Sequence, residues 1–296
     1  MTDPLFPLFD AHMHYSLAYL PQVLSFLDRQ KIVGTVNMWG GSTSTAMALY
    51  YTNFEEFLIT MRDLRRPSFV QVYWPEFPQM GWRAEKFVRQ LVADMKRFHA
   101  LGCRGLKIWK DLGMFILDEN NVPVTMDDLR LEPVWETAAK LKWVVPVHQA
   151  DPARAWAGKK MRTGLSREEI FQRRDTVLAK HPDVRWVLCH NCNDAGNVKA
   201  MAALLDRFPG VMTDINRPQE EVDSMEEVRW FFETYADRIM WSTDMIYPVE
   251  RPPDEPWCTE FIYDLWRKRL KDYALSDQTF RKFTNDNARR VYMAET

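Results

Sequence analysis

Apolar positions recur along this chain in two rhythms. Short runs rich in Val, Ile and Leu have the composition of buried strands, and between them apolar residues spaced three and four apart mark amphipathic helices. Strands are expected at 8–14, 31–39, 69–74, 105–109, 144–148, 186–190, 211–215 and 239–244. Helices are expected at 21–30, where Val23, Leu24 and Leu27 share a side, and at 54–64, where Phe54, Phe57, Leu58, Met61 and Leu64 do. Further helical stretches are 84–101, about 125–141 behind a Thr125 cap, 166–180, 193–208 and 224–235. Ser166 with Glu169 three residues on has the form of a capping box. A proline-rich loop from Pro248 to Pro256 leads into a last helical region, with a final helix behind a Ser276 cap.

Strands that alternate with helices must run parallel. Eight such units close into an α/β (β/α)8 TIM-type barrel, here with an extra C-terminal helix. A doubly wound open sheet normally follows its first strand with a glycine-rich phosphate loop, and none is present. No change of composition marks a boundary, so residues 1–296 read as one barrel domain.

Candidate chemistry gathers at the ends of these strands. His12 and His14 are two residues apart, so on a strand both project to one face while Met13 projects to the other. Such a pair is half of a metal site, although two histidines can also stand near a strand end by coincidence. Lys107, His148, His190 and Asp244 occur at the expected ends of strands four, five, six and eight. In a barrel of this type the carboxyl ends of the strands form the active face. Buried ionisable groups are costly unless paired or metal-bound, so packing alone does not explain this recurrence. His99 and His181 fall at helix ends and carry no expected chemistry.

Bulk properties narrow the function class. Hydrophobic residues make up 46% of the 296, enough for a large core. A formal charge of −2 gives no electrostatic reason to expect nucleic-acid binding. The four cysteines suggest no disulfide framework. Cys189 and Cys192 bracket His190, but no second pair completes a structural zinc site, and Cys189 is expected to face away from His190 into packing. The sequence shows neither a cleavable signal nor an apolar run long enough to span a membrane. A cytoplasmic setting and a small-molecule substrate are the resulting expectations.

The motif order Asp10-x-His12-x-His14, lone histidines closing strands five and six, and an aspartate closing strand eight resembles the amidohydrolase superfamily. Residues 105–109, 131–136, 146–152, 241–244 and 286–290 resemble its amidohydrolase-2 branch, which includes aminocarboxymuconate-semialdehyde decarboxylase-like proteins. The resemblance implies one divalent metal, zinc first and manganese or iron as alternatives, on His12, His14, His148 and Asp244. It implies His190 beside the metal-bound water and Asp244 as acceptor of that water's proton. In binuclear relatives a carbamylated lysine on strand four bridges two metals, and Lys107 stands at the matching strand. In a mononuclear site that lysine would meet an anionic substrate group. Members of the branch are often dimers.

Substrate walls are expected from Trp39, Trp74 and Trp109 after strands two to four, from Arg217 after strand seven, and from Arg154 in a cationic, aromatic loop at 151–164. Tryptophans at neighbouring strand ends suit a flat aromatic or unsaturated substrate, though Trp also packs barrels. Hydrolysis of an ester, lactone or amide competes with non-oxidative decarboxylation or hydration. Decarboxylases of the branch often carry an arginine near strand two or three. Here strand two ends Asn37-Met38-Trp39-Gly40, which tilts the expectation toward hydrolysis. A binding protein with a vestigial metal is the non-enzymatic alternative, and the presence of every expected ligand weighs against it.

Overall fold

The computed structural model describes residues 6–40, 53–75, 77, 84–150, 162–217, 222–247 and 259–294. Its sheet follows chain order around a barrel, and every strand pairing is parallel. β1 (Leu8–Tyr15), β2 (Ile32–Gly40), β3 (Phe69–Trp74) and β4 (Gly105–Leu106) are followed by β5 (Val144–Val147), β6 (Arg185–Leu188), β7 (Met212–Ile215) and β8 (Ile239–Trp241). A ninth segment, β9 (Met245–Tyr247), pairs with β1. β8 and β9 are two halves of the expected eighth strand, separated by Ser242, Thr243 and Asp244. The first half pairs with β7 and the second with β1, which closes the barrel.

Asp10 reinforces that closure. Its carboxylate accepts from Thr243 Oγ1 at 2.6 Å, Thr243 N at 3.1 Å, Tyr263 Oη at 2.8 Å and His12 N at 3.1 Å. The Asp244 N–H donates to the His12 carbonyl at 2.8 Å, so the break in the eighth strand is tied to β1 on both sides.

The intervening helices are α1 (Leu20–Arg29), α2 (Phe54–Asp63), α3 (Ala84–Ala100), α4 (Glu132–Lys140), α5 (Arg167–Lys180), α6 (Val198–Arg207), α7 (Met225–Thr234) and α8 (Thr259–Asp272). Ser166–Glu169 and Ser224–Glu227 form complete capping boxes at α5 and α7. Two helix starts differ from the sequence reading. The fourth helix does not begin behind Thr125. Asp128 instead caps a 3-10 turn (Leu129–Leu131), and Pro133 in the first turn of α4 suits a helix start there. α6 begins at Val198 behind an Asn197 cap rather than at Asn193, because residues 190–194 hold left-handed backbone angles.

Two apolar clusters build the core. The larger lies between sheet and helices and includes Met13 and Trp135. The smaller fills the barrel with Phe9, Val36, Val72, Val144, Val187 and Met240, plugged from below by Ala288, Val291 and Tyr292. That plug comes from the extra C-terminal segment, α9 (Asp277–Arg281), a π-helical turn (Lys282–Asp286) and α10 (Asn287–Tyr292). Asn287 fixes it by donating to the carbonyls of Ala236 and Ile239. Among the described residues, no helix is long and apolar enough to cross a membrane.

Barrel filling explains one glycine. Gly34 pairs with Phe9 across β1 and β2, and a Cβ there would stand 2.3 Å from the Phe9 ring and 2.9 Å from the Ser68 carbonyl. Gly34→Ala should therefore destabilise the fold by about 1–3 kcal/mol, as overpacking does. Denaturant unfolding checks this, and an unchanged midpoint would show that the Phe9 ring yields freely.

Candidate metal centre and active site

The carboxyl ends of the strands deliver the candidate residues to one place. His12 and His14 share the inward side of β1, while Met13 packs outward, as strand alternation requires. Lys107 follows β4, His148 follows β5, His190 follows β6, and Asp244 occupies the break between β8 and β9. Asp244 adopts φ +54°, which turns the chain between its two strand halves.

The geometry centres on Asp244. Its Oδ1 lies 3.3 Å from Nε2 of His12 and 3.3 Å from Nε2 of His14, and its Oδ2 lies 3.6 Å from Nδ1 of His190. The His12 ring stacks on His190 with centroids 4.8 Å apart. His190 Nε2 meets His148 Nδ1 at 3.2 Å. Donor atoms of His12, His190 and Asp244 all lie within 4.8 Å of one another, as do those of His12, Cys189 and Asp214.

Hydrogen bonding fixes the tautomers of the two β1 histidines. His12 Nδ1 meets Asp214 Oδ2 at 3.1 Å, and His14 Nδ1 meets the Met38 carbonyl at 2.6 Å. Both partners are acceptors only, so each Nδ1 carries a proton and donates it. In the neutral rings, Nε2 is then a bare lone pair, and both lone pairs face the same carboxylate oxygen. Burial keeps His12 neutral, driving it down to about 3, with the Lys107 charge adding to the effect. Burial likewise lowers His148, well below the ordinary imidazole value, and His190. Burial acts to raise Asp244, but the His190 and His12 imidazoles outweigh it and hold its carboxyl well below the usual range. Burial also opposes ionisation of Asp214, yet His12 and His190 hold it at about 2.

Lone pairs pointed at an anion repel unless a cation stands between them. Neutral imidazoles and an ionised carboxylate are also the forms that ligate a divalent metal. Nε2 of His148 is buried with no hydrogen-bond partner among the described residues, a further nitrogen available beside the group. The Nδ1 partners of His12 and His14 are the carboxylate and carbonyl acceptors that usually orient ligating histidines. On these grounds the residues present fit a divalent cation.

His190 is held by unusual backbone. Residues 190–194 all have φ between 55° and 60°, a left-handed turn that costs about 1–2 kcal/mol per ordinary residue and less for Asn or Asp. Hydrogen bonds compensate. The His190 N–H donates to Asp214 Oδ1 at 2.9 Å and the Cys192 N–H to Thr213 Oγ1 at 2.9 Å. Asn193 Nδ2 donates to the Val147 carbonyl at 2.7 Å, and Arg174, itself buried, donates to Asn193 Oδ1 at 3.0 Å.

Cys189 keeps the alternation of β6: Trp186 and Leu188 pack in the outer cluster, Val187 and Cys189 in the inner one, with Lys107 Nζ 3.0 Å from the Cys189 sulfur. The left-handed turn that begins at His190 then brings that imidazole to the centre as well, so the two side chains do not face apart as expected. Burial pushes the Cys189 thiol well above its ordinary value. Lys107 is 1% exposed and also lies 3.4 Å from His12 Nε2, so it is no surface lysine. β4 is correspondingly shorter than expected, with only an isolated bridge from Ile108 to Val147 beyond it.

The wall candidates divide. Trp74 stands 5.8 Å from the His14 ring and meets Trp109 edge-on at 5.0 Å, which places both beside the centre. Arg217 lies 3.7 Å from Asp194 at the end of the left-handed turn. Trp39 ends β2, but its side chain lies outside the described residues, as does the whole of Arg154. His99 accepts from Trp143 Nε1, and His181 pairs with Glu132, both away from the centre. The sequence reading missed Asp214 and Asn216. The signal available was the period of two along 212–216, which turns Asp214 and Asn216 to the same side of β7 and its continuation.

Comparison with known proteins agrees with this architecture. No curated protein sequence matches the chain. Solved structures share the fold at low identity, which by itself speaks for the fold alone. 4-Oxalomesaconate hydratase from Rhodopseudomonas palustris is 12% identical with a TM-score of 0.63, covering 97% of this chain and 95% of its own. 2,6-Dihydroxybenzoate decarboxylase from Rhizobium is 14% identical with a TM-score of 0.61, covering 97% and 98%. A probable 2-pyrone-4,6-dicarboxylic acid hydrolase from Acinetobacter baumannii is 13% identical with a TM-score of 0.60, covering 97% and 100%. The amidohydrolase family model matches residues 10–293, from Asp10 on β1 to the end of the C-terminal plug, and this chain therefore belongs to the amidohydrolase-2 family.

Proposed function

We propose that this protein is a metal-dependent hydrolase of a small, aromatic or unsaturated, carboxylate-bearing ester, lactone or amide. The observation that carries the reading is the convergence of His12 Nε2, His14 Nε2 and Asp244 Oδ1 at the mouth of the barrel. His12, His14, His148 and Asp244 would hold one divalent cation, zinc first, with manganese or iron as alternatives. When bound, such a cation is a Lewis acid that acidifies water at neutral pH.

The chain's own residues then divide the work. Asp244 is ionised and its side chain 34% exposed, so it is the group of the cluster open to the mouth and able to take a proton from water. His190 lies against Asp244 on one side and His148 on the other, placed to orient both groups around the centre. Trp74 and Trp109 supply an apolar wall for a flat substrate, and Lys107, Arg217, Arg154 and Trp39 are the further candidates for binding it. A second reading, non-oxidative decarboxylation or hydration on the same centre, is favoured by the decarboxylase and hydratase among the structures of similar fold.

Elemental analysis of the purified protein should find about one equivalent of divalent metal. His12→Ala should lose it together with activity, and His190→Ala should keep it while losing activity. An empty site in His190→Ala would make His190 a ligand. Screening loaded protein against lactones, esters and aromatic carboxylates separates the two reactions: acid release without carbon dioxide supports hydrolysis, and carbon dioxide evolution overturns it.

Metal removal adds a pH signature. The folded His12 value of about 3 lies below its unfolded value of 6.5. Between those limits the unfolded chain binds a proton that the fold excludes, so the His12 contribution to the stability of metal-free protein falls by about 1.4 kcal/mol per pH unit from 6.5 toward 3. Burial raises Asp10 to about 7, which contributes with the opposite sign over much of that window. An imidazole NMR titration of the metal-free protein therefore reads His12 directly, and a His12 that takes up its proton near 6.5 would contradict a neutral, buried ring.

A further inference from the structure

We propose that Asn216 is a positioning residue that sets the direction of hydrogen bonding through His190 to His148, with its amide oxygen turned to His190. The inference deepens the metal-centre reading and rests on it for its meaning. Asn216 is buried just beyond β7, and its Nδ2, which a half-turn of the carboxamide exchanges with Oδ1, lies 2.9 Å from His190 Nδ1. His190 Nε2 lies 3.2 Å from His148 Nδ1, and His148 Nε2 has no partner. These contacts make a chain of three side chains, and a neutral imidazole within it donates at one nitrogen and accepts at the other. The end that Asn216 presents therefore decides every proton position along the chain.

If the amide nitrogen donates to His190 Nδ1, then His190 Nε2–H donates to His148 Nδ1, and Nε2–H of His148 is a buried donor with nothing to receive it. If the amide oxygen accepts instead, His190 carries its proton on Nδ1, His148 carries its own on Nδ1, and Nε2 of His148 is a bare lone pair. One observation favours the second direction. Asp244 Oδ2 stands 3.6 Å from His190 Nδ1, where an anion stabilises a proton and repels a lone pair. Each direction leaves one buried N–H group without a partner among the described residues, on His148 in the first and on the Asn216 amide in the second, so that cost does not discriminate. The second direction also leaves His148 Nε2 bare, the form a cation takes up. The main chain of Asn216 is held for this role, since its N–H donates to Asn191 Oδ1 at 3.2 Å within the left-handed turn.

The test uses nitrogen-15 imidazole spectra of the metal-free protein, with His148→Gln and His190→Gln to assign the signals. Wild type should show His148 protonated on Nδ1 and bare on Nε2. Asn216→Asp offers only acceptor oxygens and should keep that pattern, with zinc affinity by chelator competition within a few-fold of wild type. Asn216→Leu removes the acceptor, should mix the two tautomers, and should weaken zinc by roughly 10–100-fold, the usual effect of losing a group that orients a ligand. A wild-type His148 bare on Nδ1 overturns the inference, as does an Asn216→Leu protein with wild-type tautomers and affinity. Wild-type protein that binds no zinc would defeat the metal-centre reading instead, and the imidazole spectra would still decide the direction of the chain.

Discussion

Two ring nitrogens face one carboxylate oxygen at the mouth of this barrel. His12 and His14 are each committed through Nδ1 to an acceptor behind them, so Nε2 of each points forward toward Asp244. Burial opposes protonation of His12, and the Nδ1 hydrogen bonds hold both rings in this orientation. Much else in the molecule serves to hold this meeting in place.

Three acidic residues do so in different ways. Asp10 and Asp214 lie fully buried in the barrel, Asp10 joining β1 to Thr243 and Asp214 joining His12 to the His190 main chain. Asp244 sits where the eighth strand breaks, and the break is what lets one segment pair with β7 and the next with β1. Closure of the sheet and presentation of the carboxylate are therefore the same structural event. The left-handed turn at 190–194 extends this logic to His190. Its backbone is held by Asp214, Thr213, Val147 and Arg174, so the imidazole is placed by groups from three other elements.

The dry surroundings also account for Lys107. It reaches the barrel interior with a thiol and an imidazole nitrogen as neighbours rather than a carboxylate. Its proximity lowers the basicity of His12 and so works in the same direction as burial. Lys107 and Asp244 both approach His12 at Nε2 and act on it in opposite directions, Lys107 with burial toward the neutral ring and Asp244 against it.

The sequence alone determined the alternation of strands and helices, and with it the barrel, because period-two and helical apolar patterns are local properties of the chain. It also determined that His12 and His14 share a face, since strand alternation fixes that without reference to any partner. The capping box at Ser166 was legible for the same reason. Only the tertiary structure decided what lies beyond the strand ends. The left-handed turn after Cys189 broke the alternation and brought His190 inward beside it, and no local pattern announces five such residues without glycine. The roles of Asp214 and Asn216 were equally hidden, because a lone polar residue on a strand acquires meaning only from what closes over it. The split of the eighth strand around Asp244 arises from β7 and β1 meeting across the barrel, a constraint that exists only once the sheet is closed.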